Sequence, residues 1–317
     1  MPAKNDPKDL IRRVRKGDHA AASRALTLVV DEAPQAEELE RDFFRAAGTV
    51  QKIGVSGPPG AGKSTLTGRL IGAYRKRGET VGVLAVDPSS SLSGGAFLGD
   101  RLRIMEHATD PGVFIRSLAS RGMVGGLTHA IFGAIHVLEA LGCGRIIVET
   151  VGTGQDEVDV ASVADTVVYA TTPAMGDEIQ AMKAGAMEVG DVFVVNKADL
   201  VGAEKAVADL KGALGLGRSA GQAERAWEPP VAATSALTGQ GVDELVGLLD
   251  AHWEHLKASG EGRERLKAQH AAELRFWIQR HVIKTALSAV NGRALDDLLS
   301  HKTDPASLGR KLLKARP

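Results

Sequence analysis

One nine-residue stretch constrains this chain more than anything else in it. Gly57-Pro58-Pro59-Gly60-Ala61-Gly62-Lys63-Ser64-Thr65 matches G-x-x-x-x-G-K-[ST]. It follows a short apolar run, Lys52–Ser56, and opens a helical stretch over 64–77. Strand, loop, helix is the context in which this pattern means a phosphate-binding loop. Glycines let the backbone curl so that successive N–H groups face one anion. The helix N-terminus adds a favourable dipole. Lys63 is placed to reach β- and γ-phosphates, and the Ser64 hydroxyl to ligate Mg²⁺. A ligand-free Gly-rich turn is the bland alternative, and the agreement of motif with context argues against it.

Such a loop needs a sheet behind it. Val/Ile-rich runs at Lys52–Ser56, Thr80–Asp87, Val113–Leu118, Arg145–Thr150, Thr166–Ala170, Asp191–Val195 and Val231–Thr234 alternate with helical stretches. Runs that are apolar throughout suit strands buried on both faces, and intervening helices imply a parallel sheet. The expected fold is α/β, a P-loop NTPase fold with a mostly parallel sheet flanked by helices. Residues 1–49 read as an N-terminal helical extension, 50–258 as the nucleotide-binding domain, and 259–317 as a helical arm. In 262–290, Leu266, His270, Leu274, Trp277/Ile278, His281/Val282 and Ala286 recur near helical spacing. That stripe must be covered, by the chain's own domain or by a partner subunit.

The run ending at Val195 leads into Asn196-Lys197-Ala198-Asp199, an N-K-x-D sequence. The Asp199 carboxylate can accept from the guanine ring N–H and amino group, and the Lys197 stem can cover the base. Asn196 can tie this loop to the phosphate loop. Adenine offers an acceptor where guanine has the ring N–H, so it leaves Asp199 unpaired. Ser235-Ala236-Leu237 ends the next run, placed for a backbone N–H to meet the guanine carbonyl. That three-residue signal is weak alone and gains weight from its place after Asp199.

Glu149-Thr150-Val151-Gly152 ends another run as E-x-x-G. Ordinary GTPases carry D-x-x-G here, with the acid acting on Mg²⁺ through water and the Gly152 N–H open to the γ-phosphate. The Thr80–Asp87 run ends in Asp87-Pro88-Ser89-Ser90, followed by a polar Gly-rich loop to Asp100. Asp87 and Asp100 are candidates for Mg²⁺ and its water shell. The blander alternative is that Asp87 caps a turn and Asp100 starts the next helix. Arg116–Gly126 is a third glycine-rich turn, open to a ligand or a structural reading. Asp177, Gln180 and Lys183 share roughly one helix face. Lys183 can reach a phosphate if that segment swings in, or the face is simply solvated. Lys63, Asp100 and Lys183 are the candidate catalytic residues.

Composition narrows the partners. Lys+Arg and Asp+Glu are 39 each among 317 residues, which argues against a nucleic-acid binder held by phosphate contacts. The neutrality is a sum. Residues 262–317 hold 12 basic and 5 acidic side chains, and the middle of the chain is correspondingly acidic. One Cys excludes a disulfide framework. The N-terminus lacks the apolar core of a signal peptide, and Asp6, Asp9 and Asp18 speak against a transit peptide. With no long apolar stretch, the expectation is a soluble cytoplasmic protein without a membrane partner.

Taken in order, these motifs resemble the MeaB/ArgK/MMAA group of SIMIBI-class P-loop GTPases. The carriers are 57–65, 87–90, 93–101, 121–126, 149–152, 176–185 and 196–199, and the likeness extends over the whole chain. It departs at Met123, where a polar residue such as His is expected. The resemblance implies a GTP- and GDP-binding hydrolase using Mg²⁺, with Ser64, Asp87, Asp100 and Glu149 around the metal. It implies a homodimer through C-terminal helices and an extra switch at 176–185. It also implies a chaperone role for an adenosylcobalamin-dependent acyl-CoA mutase such as methylmalonyl-CoA mutase. A metal-inserting GTPase of the same class is the runner-up, against which the lack of a His tract counts. A transport-associated ATP-dependent kinase is opposed by Asp199, and a non-hydrolysing scaffold by the intact Lys63, Ser64 and Glu149.

Overall fold

The computed structural model describes residues 6–45, 48, 50–87, 104–119, 130–150, 160–175, 184–219 and 226–314. Seven strands form one sheet: β1 (Gln51–Ser56), β2 (Val81–Asp87), β3 (Val113–Ala119), β4 (Arg145–Thr150), β5 (Thr166–Thr171), β6 (Val192–Val195) and β7 (Val231–Ala233). Their order is β3-β2-β4-β1-β5-β6-β7, and every pairing is parallel. The α/β class and parallel sheet are as expected.

Alternate residues of each strand face opposite layers. Ile53, Val55, Val83 and Ile147 pack against α4 (Lys63–Lys76) and α8 (Val242–Ser259), through Leu66, Leu70, Ile71, Leu245, Val246 and Leu249. Each such aliphatic side chain contributes about 1.5–3 kcal/mol by burial. On the other face lies α5 (Ala130–Leu141), buried at every position. It is covered a second time, from outside, by α1 (Pro7–Val14), α2 (His19–Val30) and α3 (Ala36–Phe44). Their helically spaced apolar residues Leu10, Val14 and Leu26 are buried, as are Val29, Leu39 and Phe43. Asp18 caps α2 by accepting from Ala21 N–H at 3.0 Å. Glu139 of α5 accepts from Gly48 N–H at 3.0 Å. Helices α6 (Ala184–Val189) and α7 (Ala203–Ser219) precede β6 and β7.

The N-terminal ends of the central strands meet in a buried polar network. Lys52 Nζ lies 3.0 Å from Asp165. Arg265, at the start of α9 (Glu261–Ser288), donates to both Asp191 oxygens at 2.7 and 2.6 Å and to Asp165 O at 2.5 Å. His252 of α8 shares a 2.9 Å hydrogen bond with Thr166, and Trp227 Nε1 donates to Asp191 O at 2.8 Å. Desolvation lowers the His252 pKa to about 4, with Arg265 and His255 adding to it and Asp191 opposing it.

The chain divides into two compact units, Met1–Lys267 and Ala268–Pro317. The second holds the rest of α9, with α10 (Gly292–Leu299) and α11 (Pro305–Lys314). Within it Leu274, Trp277, Ile278, Val282, Ile283 and Leu287 are exposed, most of them on one helical stripe. No helix among the described residues is long and apolar enough to cross a membrane.

Candidate nucleotide-binding site

β1 lies between β4 and β5: β2, β3 and β4 all fall on one side of it, and the chain switches to the other side with β5, β6 and β7. A sheet of this kind opens a crevice beyond its C-terminal strand ends at that point. The loop 57–62 leaves β1 into it. Gly57 has φ +136°, and a Cβ there would lie 2.0 Å from the Ala170 carbonyl oxygen of β5. Gly62 has φ +83°, and its Cβ would lie 2.5 Å from Asn196 Nδ2. Glycine at both positions lets the loop lie directly on its neighbours.

Lys63 is the first residue of α4 and is buried. Its Nζ donates to Gly57 O at 2.8 Å and Pro58 O at 3.0 Å, which folds the side chain back over the loop. Ser64 Oγ donates to Glu149 Oε1. Glu149 is the penultimate residue of the adjacent strand β4 and is paired with Val55. Two residues 85 apart in sequence, both candidates for Mg²⁺, are thus in contact. A hydroxyl and a carboxylate are hard oxygen donors of the kind Mg²⁺ takes. β2 ends at Asp87, whose side chain lies outside the described residues, as do Asp100, Gly152 and Lys183.

Asn196 follows β6 and is buried. Its Nδ2 donates to Ala61 O at 2.8 Å, and its Oδ1 accepts from Thr234 Oγ1 at 3.2 Å and Ala236 N–H at 3.1 Å. Its own N–H donates to Thr171 O at 2.8 Å. One side chain and its amide therefore join the phosphate loop, the end of β5 and the 234–237 loop. Lys197 takes φ +58°, and both Lys197 and Asp199 are exposed at the rim. Ser235 is buried, and its Oγ accepts from Thr238 N–H at 3.3 Å.

Gly62, Thr65, Asn196, Lys197, Asp199, Ala236 and Leu237 border a cleft of about 730 Å³. That volume suits a ligand of nucleotide size. The cleft continues along α4 past Arg69, Gly72 and Lys76, faced by Glu106, His107 and Asp243. Arg69 belongs to no recognised motif. It donates to Ala236 O at 2.6 Å and Leu237 O at 2.5 Å. Its one sequence signal is its place four residues after Thr65, one turn along the same helix face. Cys143 lies under Gly82, and burial pushes its thiol up to about 12, so it is an inert packing residue.

A family model described as methylmalonyl Co-A mutase-associated GTPase MeaB matches residues 22–291. Among curated relatives, one named as a GTPase in Pyrococcus abyssi is 43% identical, over 96% of this chain and 95% of its own. Another, named as a GTPase in Mycobacterium tuberculosis, is 40% identical over 82% and 79%. The mitochondrial methylmalonic aciduria type A homolog of Mus musculus is 34% identical over 85% of this chain and 68% of its own. A solved structure named LAO/AO transport system kinase superposes with TM-score 0.71 at 27% identity, covering 98% of both chains.

Proposed function

The chain belongs to the MeaB family of methylmalonyl-CoA mutase-associated GTPases, and from that premise we propose how its own residues serve such a role. The cleft takes GTP and GDP. The 57–65 loop, led by the Lys63 ammonium, holds the phosphates. Asp199, Lys197 and the 235–237 loop select guanine. Ser64 and Glu149 hold Mg²⁺, joined by Asp87 and Asp100, and Gly152 meets the terminal phosphate. When bound, Mg²⁺ neutralises charge on the phosphate oxygens during transfer to water. The products are GDP and phosphate. Lys63 and Asp100 act directly at the phosphates, and Lys183 enters from the 176–185 segment. Turnover rises when a partner supplies further positive charge at the transferring phosphate.

The partner is an adenosylcobalamin-dependent acyl-CoA mutase, which the chain assists as a chaperone in cofactor loading, protection and reactivation. Residues 1–49, 50–258 and 259–317 serve as helical cover, GTPase domain and dimerisation arm of a cytoplasmic homodimer. The observation that supports the nucleotide reading is Asn196, whose side-chain amide joins the 234–237 loop to the phosphate loop. The test is binding of GDP and ADP to the wild type and to Asp199→Ala. The wild type should prefer GDP by at least about a hundredfold, and the variant should lose that preference. Equal binding of ADP by the wild type would sink the guanine assignment. For the partner, pull-downs with GTP and with GDP should recover a cobalamin-dependent mutase; recovery of a hydrogenase or a transporter alone would overturn it.

A further inference from the structure

We infer that Arg69 is a positioning residue for base selectivity: it holds the 236–237 loop so that the Leu237 N–H faces the guanine carbonyl. The inference rests on the guanine reading of the cleft. Arg69 spends two donors on the Ala236 and Leu237 carbonyl oxygens, at 2.6 and 2.5 Å. In a planar trans peptide the N–H points opposite to the C=O. Pinning the Ala236 carbonyl toward α4 therefore turns the Leu237 N–H away from α4. Asn196 holds the preceding amide, Ala236 N–H, at 3.1 Å. Both residues border the cleft beside Asp199. The guanidinium also polarises the two peptides it touches, which strengthens their N–H groups as donors.

Ser235 closes the turn beyond the 236–237 segment, its Oγ accepting from Thr238 N–H at 3.3 Å and its carbonyl oxygen from Gly239 N–H at 2.8 Å, and Arg69 holds the 236–237 carbonyls. Leu237 is 75% exposed, so side-chain packing does not hold it. The anchor sits on a helix that also serves the phosphates. Lys63 and Ser64 occupy the first turn of α4, and Arg69 follows five residues after Ser64, about 7.5 Å along the axis. One rigid element thus sets the distance between phosphate loop and base-reading loop. A planar guanidinium presents its two N–H groups in a fixed fork, whereas a lysine ammonium is a point charge on a flexible stem that fixes two carbonyls less rigidly.

The experiment uses the full chain and two variants, Arg69→Met and Arg69→Lys. Affinity is measured for GDP and for the diphosphate of 2-aminopurine riboside, which keeps the amino group but lacks the carbonyl and the ring N–H. Arg69→Met should weaken GDP about tenfold and leave the analogue within about twofold, with Arg69→Lys between. Equal loss of both ligands makes Arg69 a purely structural strut and overturns the inference, as does no loss of either. If Arg69→Met does not fold, Arg69→Lys carries the test, with a loss confined to GDP expected. A wild-type chain that binds the two ligands equally overturns the guanine reading and this inference with it.

Discussion

Gly57 shows how tightly single positions are specified. Its φ of +136° and the Ala170 carbonyl 2.0 Å from a notional Cβ leave no room for a methyl group. Gly57→Ala should lower unfolding stability by about 2–4 kcal/mol in urea titration, because either the loop or the end of β5 must move. An unchanged midpoint would mean the loop rests elsewhere in solution. The nearby motif residues were legible in sequence because their chemistry depends on local spacing. Lys63 and Ser64 must follow the glycine turn, and Asp199 must follow Asn196 by three. The contacts Asn196 makes with Ala61 were foreseeable for the same reason. Arg69 was not, because its partners lie 167 and 168 residues away and nothing local marks it.

Among elements, all seven strands fall within one residue of their expected bounds. Their apolar runs encode burial on both faces, and that signal needs no tertiary knowledge. The helices at the N-terminus were harder. Their charged outer faces dominate the composition, while the buried faces become meaningful only once α5 lies beneath them. α8 carries a testable consequence through His252, which is fully buried and neutral. Its folded pKa is depressed to about 4, from an ordinary value near 6.5. Its contribution is therefore complete above pH 6.5 and declines as pH falls toward 4, where the unfolded chain takes a proton the folded chain refuses. The loss approaches 1.4 kcal/mol per pH unit inside that window. Thermal melts of His252→Gln should show a flatter pH dependence between 6.5 and 4 than wild type. Parallel curves would remove His252 as the cause.

At the scale of the molecule, zero net charge conceals a basic C-terminal end and an acidic middle. The unit Ala268–Pro317 exposes Trp277, Ile278 and Val282, and a second copy of the chain is the proposed cover. Light scattering should give a dimer for the wild type and a monomer for Ile278→Glu, since a buried unpaired carboxylate costs several kcal/mol. A dimer that persists in the variant would locate the interface elsewhere. The sequence by itself determined the P-loop class, the strand sequence, the guanine-reading motif and the family. All of these rest on patterns within about ten residues, where spacing alone dictates backbone path and side-chain face. Tertiary structure alone decided that α5 is sandwiched, that Arg265 locks onto Asp191 and that Arg69 holds the 236–237 loop. Those are contacts between segments far apart in the chain. Their geometry follows from the strand order, which puts β4 beside β1 and the β7 loop over α4, and no local pattern carries that order.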